Sequence, residues 1–570
     1  MRIEKPKRNF VAEDCLVQNW ESIKCYFESL EERKIDDNQS ALRWLEDRSE
    51  LEAFLEEDLA WRYIRMSIDT NDKNNAAAYT AFVTEIQPFV SPIEDKLNRK
   101  MVDSSYIMHF STDPAYAIYF RSVKSALSIF RDENVAIEAF LNEKSQEFGS
   151  ISGAQSIEHE EKTLTMPQAS QFLKDPIEDV RKSVYSKMVE RRRQDSQTLD
   201  ELYSVLIAKR HELALNAGFE NFRDYKFVSL GRFDYTKEDC FAFHEAIKKE
   251  IVPLVKIIQQ KKLEKLGKSK FKPWDLEVDP EGKMPLKPFQ SGDEMLQATV
   301  SMFTRLDSYF VDCLNTMQEM GHLDLDSKPG KAPGGYNYPL YEIGVPFIFM
   351  NAVGAHRDLV TMVHEAGHAV HSFLSRDLAM TAFKNFPSEV AELASMSMEL
   401  LTMDLWDEFY PKSEDLNRAK REHLEDILKI LPWIAQIDAF QHWIYTNPSH
   451  TISERHAYWL SLSSAFGTGL VDWTGYEEVQ KTSWQRQLHL FEVPFYYIEY
   501  GIAQLGALGV WVNSMQNKDE ALKSYKQALA IGYTQTMPEI YRTAGVPFDF
   551  SIERLKVLSE KIQEYTEKLN

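Results

Sequence analysis

Apolar residues recur every three or four positions along most of the chain. Between residues 41 and 66 the repeat is carried by Leu42, Trp44, Leu45, Leu51, Phe54, Leu55 and Leu59, set among acids and arginines. That spacing gathers apolar side chains on one side of a helix. The same period predicts helices over residues 75–87, 122–147, 177–216 and 237–266. Three stretches break it. Residues 148–167 hold Gly149 and Gly153 with β-prone residues around Ile157 and Thr163, which predicts a small hairpin. Residues 271–290 carry Pro273, Pro280, Pro285 and Pro288, which exclude a continuous helix and predict an ordered surface loop. Residues 328–354 place Gly330, Gly334 and Gly335 before the run Phe347, Ile348, Phe349, Met350, so turns lead into a strand. The expected fold is mainly α with a small β-sheet. A chain of 570 residues is too long for one core. Two lobes are expected, an N-terminal helical lobe over residues 1–200 and a second lobe over residues 201–570.

Composition narrows the setting. The chain is 44% apolar and 27% charged, the balance of a soluble globular protein. A net charge of −22 disfavours phosphate backbones and anionic lipid, so neither nucleic acid nor a membrane is an expected partner. The basic run 261–272 is a local exception and reads as a solvated helix end. Cys15, Cys25, Cys240 and Cys313 are scattered, with no CxxC pair. They indicate neither a cysteine zinc site nor a disulfide framework, and fit a reducing compartment. The charged opening residues lead into no apolar core of the kind a secretory signal has. The longest uncharged apolar stretch, residues 501–512, falls short of the roughly 20 residues needed to span a bilayer. A cytoplasmic location is the expectation.

The strongest chemical signal is the stretch 359–374, LVTMVHEAGHAVHSFL. On a helix His364 and His368 stand at i and i+4, one above the other. Imidazoles so placed reach one ion at about 2.0–2.1 Å. Glu365 is rotated from His364 by about 100°, so it can approach a water on that ion without ligating the ion itself. Val363, Ala366, Val370 and Phe373 make most sides of this helix apolar. It must be buried, and buried histidines need partners. A catalytic zinc wants three protein ligands. The position ten residues after His364 is Leu374, which excludes the metzincin arrangement. The next helical stretch opens at Pro387 and Ser388 and carries Glu389, Glu392 and Glu399. Either Glu389 or Glu392 can complete the set, and pattern alone does not choose between them.

Farther on, residues 489–501 read HLFEVPFYYIEYG. A neutral phenol is a good donor to a developing oxyanion, because its pKa near 10 keeps the proton in place. An aromatic core segment is the alternative reading.

These segments resemble the oligoendopeptidase F and Pz-peptidase group of zinc oligopeptidases, related more distantly to thimet oligopeptidase and neurolysin. The resemblance runs from about residue 200 to the end of the chain. It rests on residues 224–235 (DYKFVSLGRFDY), 273–288 (PWDLEVDPEGKMPLKP), 347–351, 364–371, 392–399, 494–501 and 544–550 (AGVPFDF). It implies two mostly helical lobes closing as a clamshell around a deep channel, with the sheet beside the catalytic helices. It implies one zinc per chain, held by His364, His368 and Glu392, since Glu392 with Ser395 and Glu399 matches the family's E-x-x-S-x-x-x-E pattern. Glu399 then orients a ligand histidine. His371, on the ligand face, reads equally as a further orienting group or as a plain buried histidine.

The family's histidine and two tyrosines across the cleft fit His489, Tyr497 and Tyr500 best, with Tyr496 a competing choice. The further tyrosine of thimet oligopeptidase falls near Val493, so that contact is either absent or supplied differently. The strand Phe347, Ile348, Phe349, Met350 is a candidate exposed edge to which a substrate peptide adds, or else a strand buried between helices. The implied activity is endopeptidase hydrolysis of short unstructured peptides, with Glu365 as general base. A metallocarboxypeptidase or dipeptidyl carboxypeptidase on a related scaffold is the first rival, and a non-catalytic peptide-binding homologue the second. Loss of a ligand or base would mark the latter, and His364, Glu365, His368 and Glu392 are all present.

Overall fold

The computed structural model describes residues 3–569; Met1, Arg2 and Asn570 lie outside the described residues. The chain is mainly helical. Two compact units are each drawn from three segments. Met1–Ser128, Leu286–Ala419 and Ala503–Phe548 form the first; Ile129–Pro285, Lys420–Ile502 and Asp549–Asn570 form the second. The units therefore do not follow a single cut near residue 200. Helix Glu178–Asn216 runs unbroken through that position, burying Leu199, Leu202, Tyr203 and Leu206 along one face within the second unit.

In the first unit the 31-residue helix Asn38–Ile68 is the spine. Asp37 caps it by accepting from Ser40 N at 2.7 Å, satisfying a first-turn donor that has no partner within the helix. Its apolar face (Trp44, Leu45, Leu51, Phe54) packs on Leu30, Leu97, Met101 and Phe120.

Helix periodicity reads well where the chain allows it. The predicted helix over 75–87 is Lys73–Ala81, which passes through a π-turn, Phe82–Ile86, into Gln87–Asp103. In the second unit the predicted helix over 237–266 does the same, through Ile247–Ile251 between Lys237–Ala246 and Val252–Leu266. Each π-turn is followed after one residue by a proline, Pro88 or Pro253, at the second position of the following helix. The wider turn accommodates a residue that has no N–H to give. The predicted helix over 122–147 is instead two, Pro114–Ile129 and Asp132–Gly153. Arg131 is extended, and Asp132 and Glu133 start the new helix with charges suited to its N-terminus.

Five short strands interrupt the helices: β1 (Ser156–His159), β2 (Lys162–Thr165), β3 (Leu323–Asp326), β4 (Tyr336–Tyr338) and β5 (Phe347–Ala352). The β1–β2 pair is the expected hairpin, though residues 148–153 belong to the preceding helix. Its two-residue turn puts Glu160 and Glu161 at φ +48° and +62°, the left-handed pair that matches strand twist.

The second sheet has the order β3–β5–β4, with β5 parallel to β3 and antiparallel to β4. This corrects the edge-strand expectation. Phe347, Ile348, Phe349 and Met350 lie in the middle strand, no more than 2% exposed. Ile348 and Phe349 are paired on both sides, and β4 and β3 are the outer strands. An apolar run without alternation is the pattern of a strand covered on both faces. The proline-rich stretch is irregular apart from the single 3₁₀ turn Pro273–Asp275.

Candidate active site

The motif residues lie on helix His356–Ser375 of the first unit. Asp358 shapes its start, accepting from Val353 N at 2.8 Å and Ala355 N at 2.9 Å. It thereby joins the end of β5 to the helix. Helix Ser388–Thr402 packs alongside. Their close approach depends on Gly367, between the two motif histidines. A Cβ there would lie 2.6 Å from Ser395 Cα and 2.9 Å from the carbonyl oxygen of Ala394. Only glycine lets the backbones come this near. Sequence reasoning missed Gly367 and Asp358. A glycine between motif positions looks like any small helical residue until its neighbour is known.

Ligating atoms of His364, His368 and Glu392 all lie within 4.8 Å of one another. His364 Nε2 is 3.4 Å from Glu392 Oε2, and His368 Nε2 is 3.9 Å from Glu392 Oε1. The far nitrogen of His364, Nδ1, is 2.6 Å from Glu399 Oε1. Ser395 Oγ donates to Glu392 Oε2 at 3.1 Å, which fixes that carboxylate from behind. Glu389 is buried one turn earlier and is not part of this group. The two histidine side chains are 22% and 19% exposed, so the group is open on one side.

The electrostatics follow from three carboxyls beside two imidazoles. Burial opposes the charge of His364, but the hydrogen bond to Glu399 and the charges of Glu392 and Glu399 outweigh it and raise the ring to about 9. His368 is driven well below the ordinary histidine value by burial and by the charge of His364. Burial pushes Glu365 up to about 7, with Glu392 and Glu399 adding to it against His364. A divalent cation is the counter-charge such a donor set accepts.

His371 makes no hydrogen bond to this group. It is fully buried and makes no hydrogen bond, and its ring stacks on Phe386 at 3.7 Å. Burial holds it neutral, down to about 3. As placed, it holds no ligand histidine by a hydrogen bond.

The aromatic segment belongs to the second unit. His489 lies on the short helix Leu488–Glu492, and Tyr497 opens helix Tyr497–Gln516. The His489 ring is 4.7 Å from Tyr497, 5.9 Å from Tyr500 and 6.1 Å from Tyr496. All three tyrosines are half-buried, whereas Phe491, Phe495 and Ile498 between them are fully buried. The phenols are thus not the core of this segment. The Nδ1 of His489 lies 2.7 Å from Gln487 Nε2, and burial lowers the ring to about 4. The turn before the tyrosines is strained, with Phe495 at φ +67°. Its N–H donates to Gln441 at 2.6 Å, and its carbonyl accepts from Arg232.

Three convergent donors, the two histidines partly exposed and Glu392 buried, beside a carboxyl outside the donor set fit a catalytic metal site better than a structural one. The class so defined is a metallohydrolase with its ligands on two packed helices. Comparison with known proteins makes it particular. Residues 171–556 match the model of peptidase family M3, and residues 14–130 match the peptidase M3 N-terminal domain. The chain belongs to peptidase family M3 and is a zinc metalloendopeptidase of the oligoendopeptidase kind.

It is 23% identical to oligopeptidase PepF of Bacillus subtilis (strain 168) over 527 residues, 88% of this chain and 75% of that protein. It is 21% identical to an oligoendopeptidase F homolog of Borreliella burgdorferi over 420 residues, 72% and 68% of the two chains. The solved structure of Pz peptidase A with inhibitor 2 matches at TM-score 0.88 and 26% identity, covering 100% of this chain and 98% of that one. No helix among the described residues is long and apolar enough to cross a membrane.

Proposed function

We propose that the protein hydrolyses internal bonds of short, unstructured peptides with one catalytic zinc held by His364, His368 and Glu392. The observation that carries this is the convergence of those three side chains with Glu399 on the far nitrogen of His364. A histidine whose Nδ1 hydrogen is given to a carboxylate keeps Nε2 free to offer its lone pair. Zinc bound there supplies Lewis acidity toward the scissile carbonyl and acidity to a water.

Glu365 sits one residue beyond the first histidine and off the ligand face. It takes the proton of the attacking water and returns it to the leaving amine. Its raised pKa, about 7, suits a group that must both accept and give a proton near neutrality. By the family resemblance, Tyr497 and Tyr500 donate to the oxyanion as neutral phenols and His489 assists them. Their half-buried rings support a site role over a core role. An added substrate strand takes its place on an outer strand, β3 or β4, since β5 is paired on both sides. Restriction to short peptides rests on the resemblance and on the names of the relatives.

Glu365→Gln tests the assignment. Metal content at the His364 site is expected to stay unchanged while kcat falls by about 10²–10⁴. Loss of the metal in this variant would show that Glu365 is a ligand. A peptide blocked at both ends is expected to be cut by the wild type, and failure to cut it would turn the reading to a carboxypeptidase.

A further inference from the structure

The second unit holds another group of metal-ligating side chains. Ligating atoms of Cys240, Asp438 and His442 lie within 4.8 Å of one another. All are buried, at 1%, 0% and 4% exposure. Two helices build the group. Lys237–Ala246 carries Cys240 and, one turn on, His244; Ser413–Thr446 carries Asp438 and, one turn on, His442. His244 Nε2 is 2.8 Å from Asp438 Oδ2, and His442 Nε2 is 3.2 Å from the same oxygen. Asp438 Oδ1 and His442 Nδ1 nonetheless make no hydrogen bond, and His442 Nε2 has only that one ion-pair contact with Asp438. Buried polar atoms left without a partner are costly, so such a grouping calls for an explanation. The hydrolytic reaction uses none of these residues.

We infer that Cys240, Asp438 and His442 form a second, buried site for a zinc-like divalent cation, with His244 fixing the Asp438 carboxylate from outside. A thiolate, an imidazole and a carboxylate together suit zinc. Ligands around a tetrahedral ion at about 2.0–2.3 Å stand about 3.3–3.7 Å apart. His244 Nε2 already holds Asp438 Oδ2 by a hydrogen bond and lies outside the candidate ligand set, which makes it the orienting partner. Cys240 binds as thiolate and gives its proton to solvent as the ion enters.

The His442 ring is packed among aromatic side chains. Phe227, Phe241 and Phe495 meet the His442 ring at 5.8, 4.9 and 5.3 Å. No substrate reaches a group so enclosed, so the ion is structural. It would pin the two helices together at the residue beside Gln441, whose side chain holds the strained Phe495 ahead of the tyrosines. The second site thus braces the base of the aromatic segment.

The test uses the full chain. The double variant His364→Ala/His368→Ala removes the ligands of the open site. After stripping and reloading with cobalt(II), it is expected to hold one cobalt per chain with a thiolate-to-cobalt charge-transfer band in the near ultraviolet. Adding Cys240→Ser should abolish both. A folded double variant without cobalt, cobalt without the thiolate band, or a band that survives Cys240→Ser would each overturn the proposal. Should Cys240→Ser fail to fold, wild-type crystals grown with zinc decide it by anomalous scattering at the metal edge. A peak about 2.3 Å from Cys240 Sγ supports the site, and its absence defeats it.

Discussion

The open group around His364 and the sealed group around Asp438 are built by one local rule and end with different characters. In each, side chains four residues apart on a helix meet donors from a second helix. The His364 group leaves its ring side chains 22% and 19% exposed and has Glu365 standing free of the ligand set. The Asp438 group is flanked by aromatic rings, and its carboxylate is wholly buried. Burial works against that charge, but His442 and His244 outweigh it and hold the carboxyl well below its ordinary range. Spacing along a helix therefore decides whether donors can share a ligand. What packs around them decides whether that ligand does chemistry or only holds the fold.

Four changes break or sharpen this contrast. Asp438→Asn should have the largest effect, and on stability. Removing one partner from a buried ionic group costs about 3–5 kcal/mol, which urea unfolding would register as a lower midpoint. A midpoint within experimental scatter of the wild type would make the sealed group dispensable. Tyr500→Phe should act on rate instead, lowering kcat by about 10²–10³, or roughly 2.7–4 kcal/mol, with KM nearly unchanged. If melting temperature fell and kcat held, Tyr500 would return to the core reading.

Glu399→Ala should weaken zinc binding at the open site by about 10–100-fold, measured by competition with a chelator, because His364 loses the partner of its far nitrogen. Unaltered zinc affinity would detach Glu399 from the ligand set. The smallest effect is expected from Gly367→Ala, about 1–3 kcal/mol of stability, since the new methyl meets the Ser395 backbone. Gly153→Ala, where nothing lies within 4 Å of the added carbon, is its control and should lose none of this. Equal behaviour of the two would mean the metal helices tolerate separation.

The sequence by itself was enough for whatever depends on neighbours a few residues apart. The i, i+4 histidines, the off-face glutamate, the helical periods and the hairpin are all local, and backbone geometry imposes them wherever a helix or turn forms. The choice of Glu392 over Glu389 was beyond pattern and needed the family's spacing. The packed helices agree with it, since only Glu392 meets both histidines. Other features waited on the fold altogether. Strand β5 lies in the middle of its sheet because β3 and β4 come to either side of it. His371, on the same face as the ligands, met Phe386 rather than a metal partner. Cys240 read as a solitary thiol, since its companions stand nearly two hundred positions away at Asp438 and His442. No period or motif encodes a meeting between such distant residues. It is set by which helices bury their apolar faces against each other, and that is decided only when the whole chain packs.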